Sequence, residues 1–167
     1  MTTRDGNKQP APAAAHADHP GVVMPPPLVY AGGLVAGALI DQFMPIPLVD
    51  APARWIVAGV LILIGLILAS GGTTRFRRAG TAVQPYKPST TVVTDGVYQF
   101  SRNPIYLGLT AFYLGLAFAV NSGWVILLLP LVLVVMHYGV IRREERYLEG
   151  KFDAAYRDYK VRVRRWL

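Results

Sequence analysis

Asn103 to Ile141 contains no Asp, Glu, Lys or Arg, and its apolar character is interrupted only by Asn121-Ser122-Gly123. An apolar run of that length with a short polar break predicts two membrane helices joined by a tight turn. A hairpin returns its two ends to one face of the membrane. The residues leading into it, Tyr98, Arg102 and Asn103, should therefore meet the residues leading out of it, Glu144 and Glu145. Chemistry is expected at that convergence.

The rest of the composition agrees with a membrane setting. The chain has 167 residues, 53% hydrophobic and only 16% charged, against roughly 25% charged in soluble domains. Its net charge of +7 raises the question of a polyanionic partner. A nucleic-acid surface needs basic residues spread over a soluble face. Here nine of the seventeen Lys and Arg lie from Arg142 onward and five lie between Arg75 and Arg102, flanking apolar runs. No nucleic-acid partner is expected; the bilayer is. The same asymmetry puts both termini and the long central loop on the cytoplasmic side, in the inner plasma membrane if the source is a bacterium. The absence of cysteine excludes disulfides, thiolate metal sites and a thiol nucleophile. His16 and His19 lie without convergent partners, so no metal site is expected.

In order, residues 1–27 read as a disordered tail ending in Pro25-Pro26-Pro27, and residues 28–141 as a transmembrane domain. Its first span is Leu28 to Met44, with Gly33 and Gly37 spaced for close helix contact. A proline-rich loop follows, and a second span runs from Arg54 to about Ala69, anchored by Trp55 and ended by Ser70-Gly71-Gly72. A cytoplasmic loop, residues 73–102, carries Arg75, Arg77 and Arg78. The third span is Ile105 to Val120; the fourth is Trp124 to Ile141, with a kink expected at Pro130. In residues 142–167 the apolar positions Leu148, Phe152, Tyr156, Tyr159, Val163 and Trp166 recur every three or four residues among basic ones, predicting an amphipathic interfacial helix bent at Gly150. The expected fold is an all-α integral membrane protein with four transmembrane helices and this C-terminal helix completing the site.

Three segments carry a family resemblance: Thr91-Val92-Val93-Thr94-Asp95-Gly96-Val97-Tyr98, Ser101-Arg102-Asn103-Pro104-Ile105-Tyr106-Leu107-Gly108, and Glu144-Glu145-Arg146-Tyr147-Leu148 followed by Phe152, Tyr156, Tyr159 and Val163. Together they resemble the isoprenylcysteine carboxyl methyltransferase and phospholipid methyltransferase family of integral membrane enzymes. The resemblance implies S-adenosyl-L-methionine held at the cytoplasmic interface and a lipophilic acceptor, a prenylcysteine-like carboxylate or a phospholipid amine, arriving from the bilayer. It carries cofactor contacts onto Gln84, Thr90, Thr91, Val92, Val93, Tyr98, Asn103, Pro104, Tyr106 and one of Glu144 and Glu145; Arg102, at the same convergence, is a further cofactor-binding candidate. It also implies a substrate-facing arginine shortly before that pair, for which Arg142 is the nearest candidate. The family carries an Arg-His-Pro signature where this chain has Arg102-Asn103-Pro104. Asparagine keeps a hydrogen-bonding side chain and loses the ability to carry a proton charge.

The residues themselves are compatible with that chemistry, because aromatic rings and a carboxylate suit a cationic sulfonium. His137 shares a helix face with the acids and, inside a membrane segment, is a further cofactor-binding candidate. Glu145 is expected to be the inward acid with a catalytic role, since the apolar stripe beginning at Leu148 shares its face and an acid there needs a partner such as Arg102 or the cofactor. Two other readings fit the same pattern: an NADPH-dependent sterol or steroid reductase, and a non-catalytic membrane protein of the same fold.

Overall fold

The computed structural model of the protein describes residues 19–167; His16 and the first eighteen residues of the expected tail lie outside them. Among the described residues the fold is all-helical. α1 spans Pro26–Phe43, α2 Ala53–Arg78, α3 Pro104–Val120, α4 Gly123–Met136 and α5 Arg142–Arg162, with a π-helical turn at His137–Ile141 joining the last two into one continuous path. α2 and the α4–α5 rod are long and apolar enough to cross a membrane, whereas α3 is apolar but shorter. Ile56, Leu63, Leu66 and Ile67 on α2, and Leu127, Leu131 and Val134 on α4, face outward. So extended an apolar surface is suited to lipid and costly in water.

The hairpin turn forms where the polar break predicts it. Asn121 takes the left-handed conformation at φ 57, which asparagine tolerates better than most residues, and its Oδ1 accepts from the backbone N–H groups of Leu48 and Val49 at 3.0 and 3.1 Å. The turn is thereby tied to the loop between α1 and α2. The legs of the hairpin touch each other little: α3 lies mainly along α2, and α4 along α1.

Glycines explain those partners. A Cβ built on Gly65 would stand 2.8 Å from the Gly108 carbonyl oxygen and the Phe112 nitrogen, and one on Gly108 equally close to the Ala69 nitrogen. Gly37 would meet the Val125 backbone at 2.8 Å, and Gly33 the Val132 side chain. Small residues let helix backbones approach where lipid offers no hydrophobic drive for helix association. The Gly33 and Gly37 spacing thus serves a contact within this chain, α1 on α4.

Four sequence expectations are corrected. Ser70-Gly71-Gly72 does not end α2, which continues to Arg78; Gly72 faces the Ile105 side chain of α3, so it is a packing glycine. Pro130 lies inside α4 without interrupting it, and the departure from α geometry comes at His137–Ile141. The bend in α5 falls at Asp153, at φ 41 and ψ −111, and not at Gly150. Finally, the apolar stripe of α5 is covered by protein. Leu148, Phe152, Tyr156, Tyr159 and Val163 pack with Phe76, Val92, Val93, Val97 and Tyr98, while Trp166 reaches the main core. The loop between α2 and α3 supplies the apolar partner that a membrane surface was expected to supply.

The close α2–α3 approach gives a paired prediction. Gly65→Ala should lower the thermal midpoint in detergent, because overpacking costs about 1–3 kcal/mol and exceeds the roughly 1 kcal/mol gained in helix propensity. Gly59, with nothing within 4 Å of its built Cβ, should give an alanine variant at least as stable as the parent.

Candidate functional site

The mouth of the helix assembly holds a cleft of about 780 Å³, its open side included, lined by the 82–93 loop, the segment leading into α3, and one face of α5. Gln84, Thr91, Val92, Val93, Tyr98, Arg102, Asn103, Tyr106, Glu144 and Glu145 all line it. The ends of the hairpin therefore converge on one cavity.

The two acids have different surroundings. Glu145 is buried, 7% exposed, and lies between two guanidinium groups. Arg165 donates from Nε to Oε1 at 3.0 Å and from Nη2 to Oε2 at 2.6 Å, a charge-assisted fork, and Arg102 Nη1 stands 3.3 Å from Oε1. Glu144 accepts a hydrogen bond from the Tyr106 hydroxyl at 2.8 Å, and no cation pairs with it among the described residues. Burial pushes its carboxyl up to about 7; the Tyr106 hydrogen bond opposes the shift and the charge of Glu145 adds to it.

Around these acids stand Tyr98, Tyr156 and Tyr159. Burial raises all three phenols, that of Tyr156 to about 12 with Glu145 as the next contributor. They stay neutral at physiological pH, so they offer aromatic faces and hydroxyl donors. The Tyr159 hydroxyl donates to the Tyr98 carbonyl at 2.7 Å, fixing α5 to the loop.

The residues following α5 close the site. The Arg164 carbonyl accepts from the Arg102 backbone N–H at 3.0 Å, and the Arg165 carbonyl accepts from Ser101 Oγ at 3.2 Å and from Asn103 Nδ2 at 3.0 Å. Asn103 thus holds the C-terminal strap with its side-chain amide. A second, almost wholly apolar groove of about 760 Å³, its open side included, lies on the outer surface between α2 and α3, bounded by Leu61, Leu68, Leu107, Leu114 and Leu167. The single 3-10 turn Gly96–Gln99 carries Val97 on the groove and Tyr98 on the cleft.

The profile of the phospholipid methyltransferase family matches residues 53–155, more than half of the chain. The chain belongs to the phospholipid methyltransferase family. A protein of Haemophilus influenzae described as uncharacterized is 54% identical over 35 residues, which cover 21% of this chain and 56% of that one. The match therefore spans little more than half of that relative's length. No solved structure matches the chain.

Several expected residues of this family member stand outside the cleft. Arg142 is exposed, its guanidinium 5.5 Å from the centre of the Tyr138 ring. His137 belongs to the π-helical turn and packs edge-on against Tyr138, at 4.8 Å between ring centres. Thr90 spends its backbone N–H on Thr81 Oγ1 and its hydroxyl on the Gly80 carbonyl. Pro104 borders the apolar groove instead. Sequence reasoning missed Arg165, Tyr156 and Phe76 as site residues. The first two lie in the α5 stripe and its continuation, where aromatic spacing was read as a membrane face; no local signal marks Phe76.

Different partners imply different consequences for the two acids. Glu145→Gln leaves Arg102 and Arg165 without their shared anion and should lower unfolding stability by on the order of 3 kcal/mol, readable as a fall in thermal midpoint without any ligand. Glu144→Gln keeps an acceptor for Tyr106, removes a desolvated charge, and should leave the midpoint unchanged or higher.

Proposed function

We propose that the cleft binds S-adenosyl-L-methionine and that the protein methylates a lipophilic acceptor drawn from the bilayer at the cytoplasmic interface. Membership of a methyltransferase family gives the reaction class. The observation that carries the cofactor reading is Glu144: a carboxylate without a partner cation, set among tyrosine rings in an open cleft. Such a group favours a bound cation both by charge and through the ring faces beside it. The donor set of the cleft thus fits this cofactor.

When bound, S-adenosyl-L-methionine supplies an electrophilic methyl group on a sulfonium. The work left to the protein is to align the acceptor in line with that methyl and to exclude water, since no covalent nucleophile is required. Tyr98, Tyr156 and Leu148 wall the cleft with apolar surface, and the Arg102–Glu145–Arg165 cluster sets its depth. The apolar groove beside α2 and α3 suits the hydrocarbon part of an acceptor. Of the two acceptor classes, an amine draws more on this site than a carboxylate. An ammonium must lose its proton before it attacks, and Glu144, held ionised by the bound cation, is a carboxylate beside which that proton can be taken up.

The topology that goes with this reading has four crossings, with the cleft, both termini and the 73–102 loop on the cytoplasmic side. It is supported by the five basic residues between Arg75 and Arg102 and the nine from Arg142 onward. In this cysteine-free chain, a cysteine placed at the exposed Lys87 should react with an impermeant maleimide only after the cells are opened. Labelling in intact cells would reverse the orientation.

Cofactor affinity carries the decisive pH dependence. Glu144 is half protonated near pH 7 when the cleft is free, and a bound cation favours its ionised form, so binding releases a proton below that pH. Affinity for S-adenosyl-L-methionine should therefore rise about tenfold from pH 6 to pH 8 and level off above. Glu144→Gln should flatten the profile, and S-adenosylhomocysteine, lacking the sulfonium charge, should show a weaker slope. Calorimetric titration of the purified protein measures all three, and NADPH in the same cell tests the reductase alternative. A flat wild-type profile, or tighter binding of NADPH, would overturn this reading.

A further inference from the structure

Residues 82–89 leave the body of the protein and return to it at one place. Thr81 is buried, 6% exposed; its backbone N–H donates to the Phe76 carbonyl at 3.1 Å, and its Oγ1 accepts from the Thr90 N–H at 2.9 Å. The Thr90 hydroxyl donates to the Gly80 carbonyl at 3.2 Å. The segment between Thr81 and Thr90 therefore has a closed neck, the form of an Ω-loop. Its tip is a turn over residues 84–87, closed by the Lys87 N–H on the Gln84 carbonyl at 3.1 Å, and Pro85 and Pro88 restrict its backbone. A loop tied at its neck and stiffened at its tip moves as a unit. Val83, Gln84, Pro85 and Ser89 line the cleft, while Tyr86, Lys87 and Pro88 are exposed.

Among the described residues one hydrogen bond joins this loop to another element. The Ser89 backbone N–H donates to the Tyr147 hydroxyl at 3.1 Å. Tyr147 stands on the stretch of α5 that carries Glu144 and Leu148, and Lys151 Nζ, 5.4 Å from the centre of its ring, donates to the same oxygen at 3.0 Å. Because the Ser89 bond lies next to the neck, it sets the angle at which the loop stands over the cleft.

We propose that residues 82–89 are a flap that closes the cleft over its ligand, and that Tyr147 is the positioning residue that latches it. A flap answers a need of the chemistry: methyl transfer is favoured where water is excluded, yet ligands must enter and leave. A latch of one neutral hydrogen bond favours the closed state by a small factor only, so opening stays frequent. The identity of the ligand beneath the flap rests on the cofactor reading above; the flap and its latch do not.

The test uses full-length protein in detergent. In this cysteine-free chain Ser89→Cys supplies a single thiol on the flap and keeps the backbone N–H. Adding Tyr147→Phe, which removes the accepting oxygen, should speed reaction of that thiol with N-ethylmaleimide by about threefold to tenfold without any ligand, the factor of one neutral hydrogen bond. With Tyr147 intact, saturating S-adenosylhomocysteine should slow the same reaction. In a second protein, Ser89→Cys with Tyr147→Cys, a reducible bis-methanethiosulfonate bridging the two thiols should abolish exchange of bound S-adenosylhomocysteine, and reduction should restore it. The bridged protein is compared with its own reduced form, so it carries the test where Tyr147→Phe lowers the thermal midpoint. An unchanged thiol reaction in Tyr147→Phe with a retained midpoint overturns the latch, and free exchange in the bridged protein overturns the flap. Absence of S-adenosylhomocysteine binding to the wild type overturns the cofactor reading, and the thiol reaction, which needs no ligand, still decides whether Tyr147 holds the loop down.

Discussion

The pairing of Glu145 with Arg102 and Arg165 connects three parts of the chain that are far apart in sequence. Arg102 precedes α3, Glu145 opens α5, and Arg165 follows α5, so one buried carboxylate joins the start of the hairpin, its end and the C-terminal strap. An ion pair of this kind is poor evidence of net stability, because removing three charged groups from water costs several kcal/mol per ion. Its value lies in specificity. A carboxylate that needs two cations accepts few alternative packings, and here the required packing forms the cleft. The hydrogen bonds from Ser101, Asn103 and the Arg102 backbone to the strap carbonyls extend the same constraint along neighbouring residues.

Below the cleft the constraint is of another kind. Lipid supplies little reason for apolar helices to associate, so the helices rely on backbone proximity. Gly65 and Gly108 bring α2 against α3, and Gly37 brings α1 against α4. The consequence for the site is that the legs of the hairpin, each backed by its own partner, need not pack on one another. They can stand apart at the cleft, where a ligand has to fit between residues carried by α5 and residues leading into α3. The extension of α2 through Gly72 to Arg78 belongs to the same design, because it carries Phe76 up to the Tyr98 ring, 5.4 Å between centres.

Much of this was legible in the sequence, for identifiable reasons. The uncharged run and its polar break reveal the hairpin because charge is expensive in a bilayer, and the hairpin alone brings Arg102 and the two glutamates together. What was misread involves residues with two physical uses. Gly71 and Gly72 look like a helix stop when only local propensity is considered, and like contact residues when α3 is seen beside them. The stripe from Leu148 to Val163 has the periodicity of an interfacial helix, yet periodicity reports that one face is apolar and not what covers it. The loop that covers it carries Val92, Val93 and Val97 without regular spacing. Arg165 was hidden for a related reason: it is one of nine basic residues in the last segment, and it meets Glu145 only after the chain bends at Asp153 and leaves the helix at Val163.

The adjacent acids show how neighbouring residues of the same type divide roles. The helical wheel leaves Glu144 and Glu145 nearly equivalent, and the apolar stripe favours Glu145 as the inward one. Glu145 is indeed the more buried, and for that reason its charge is matched within the protein. A carboxylate neutralised by two arginines has little left to offer a ligand. Glu144, less enclosed and held by a single neutral hydroxyl, has no partner cation among the described residues. Burial thus identifies the acid that builds the site, and the absence of a partner cation marks Glu144 as the acid that the proposed cofactor would meet. By the same criterion Arg165, whose Nε and Nη2 are both spent on Glu145, belongs to the framework of the cleft.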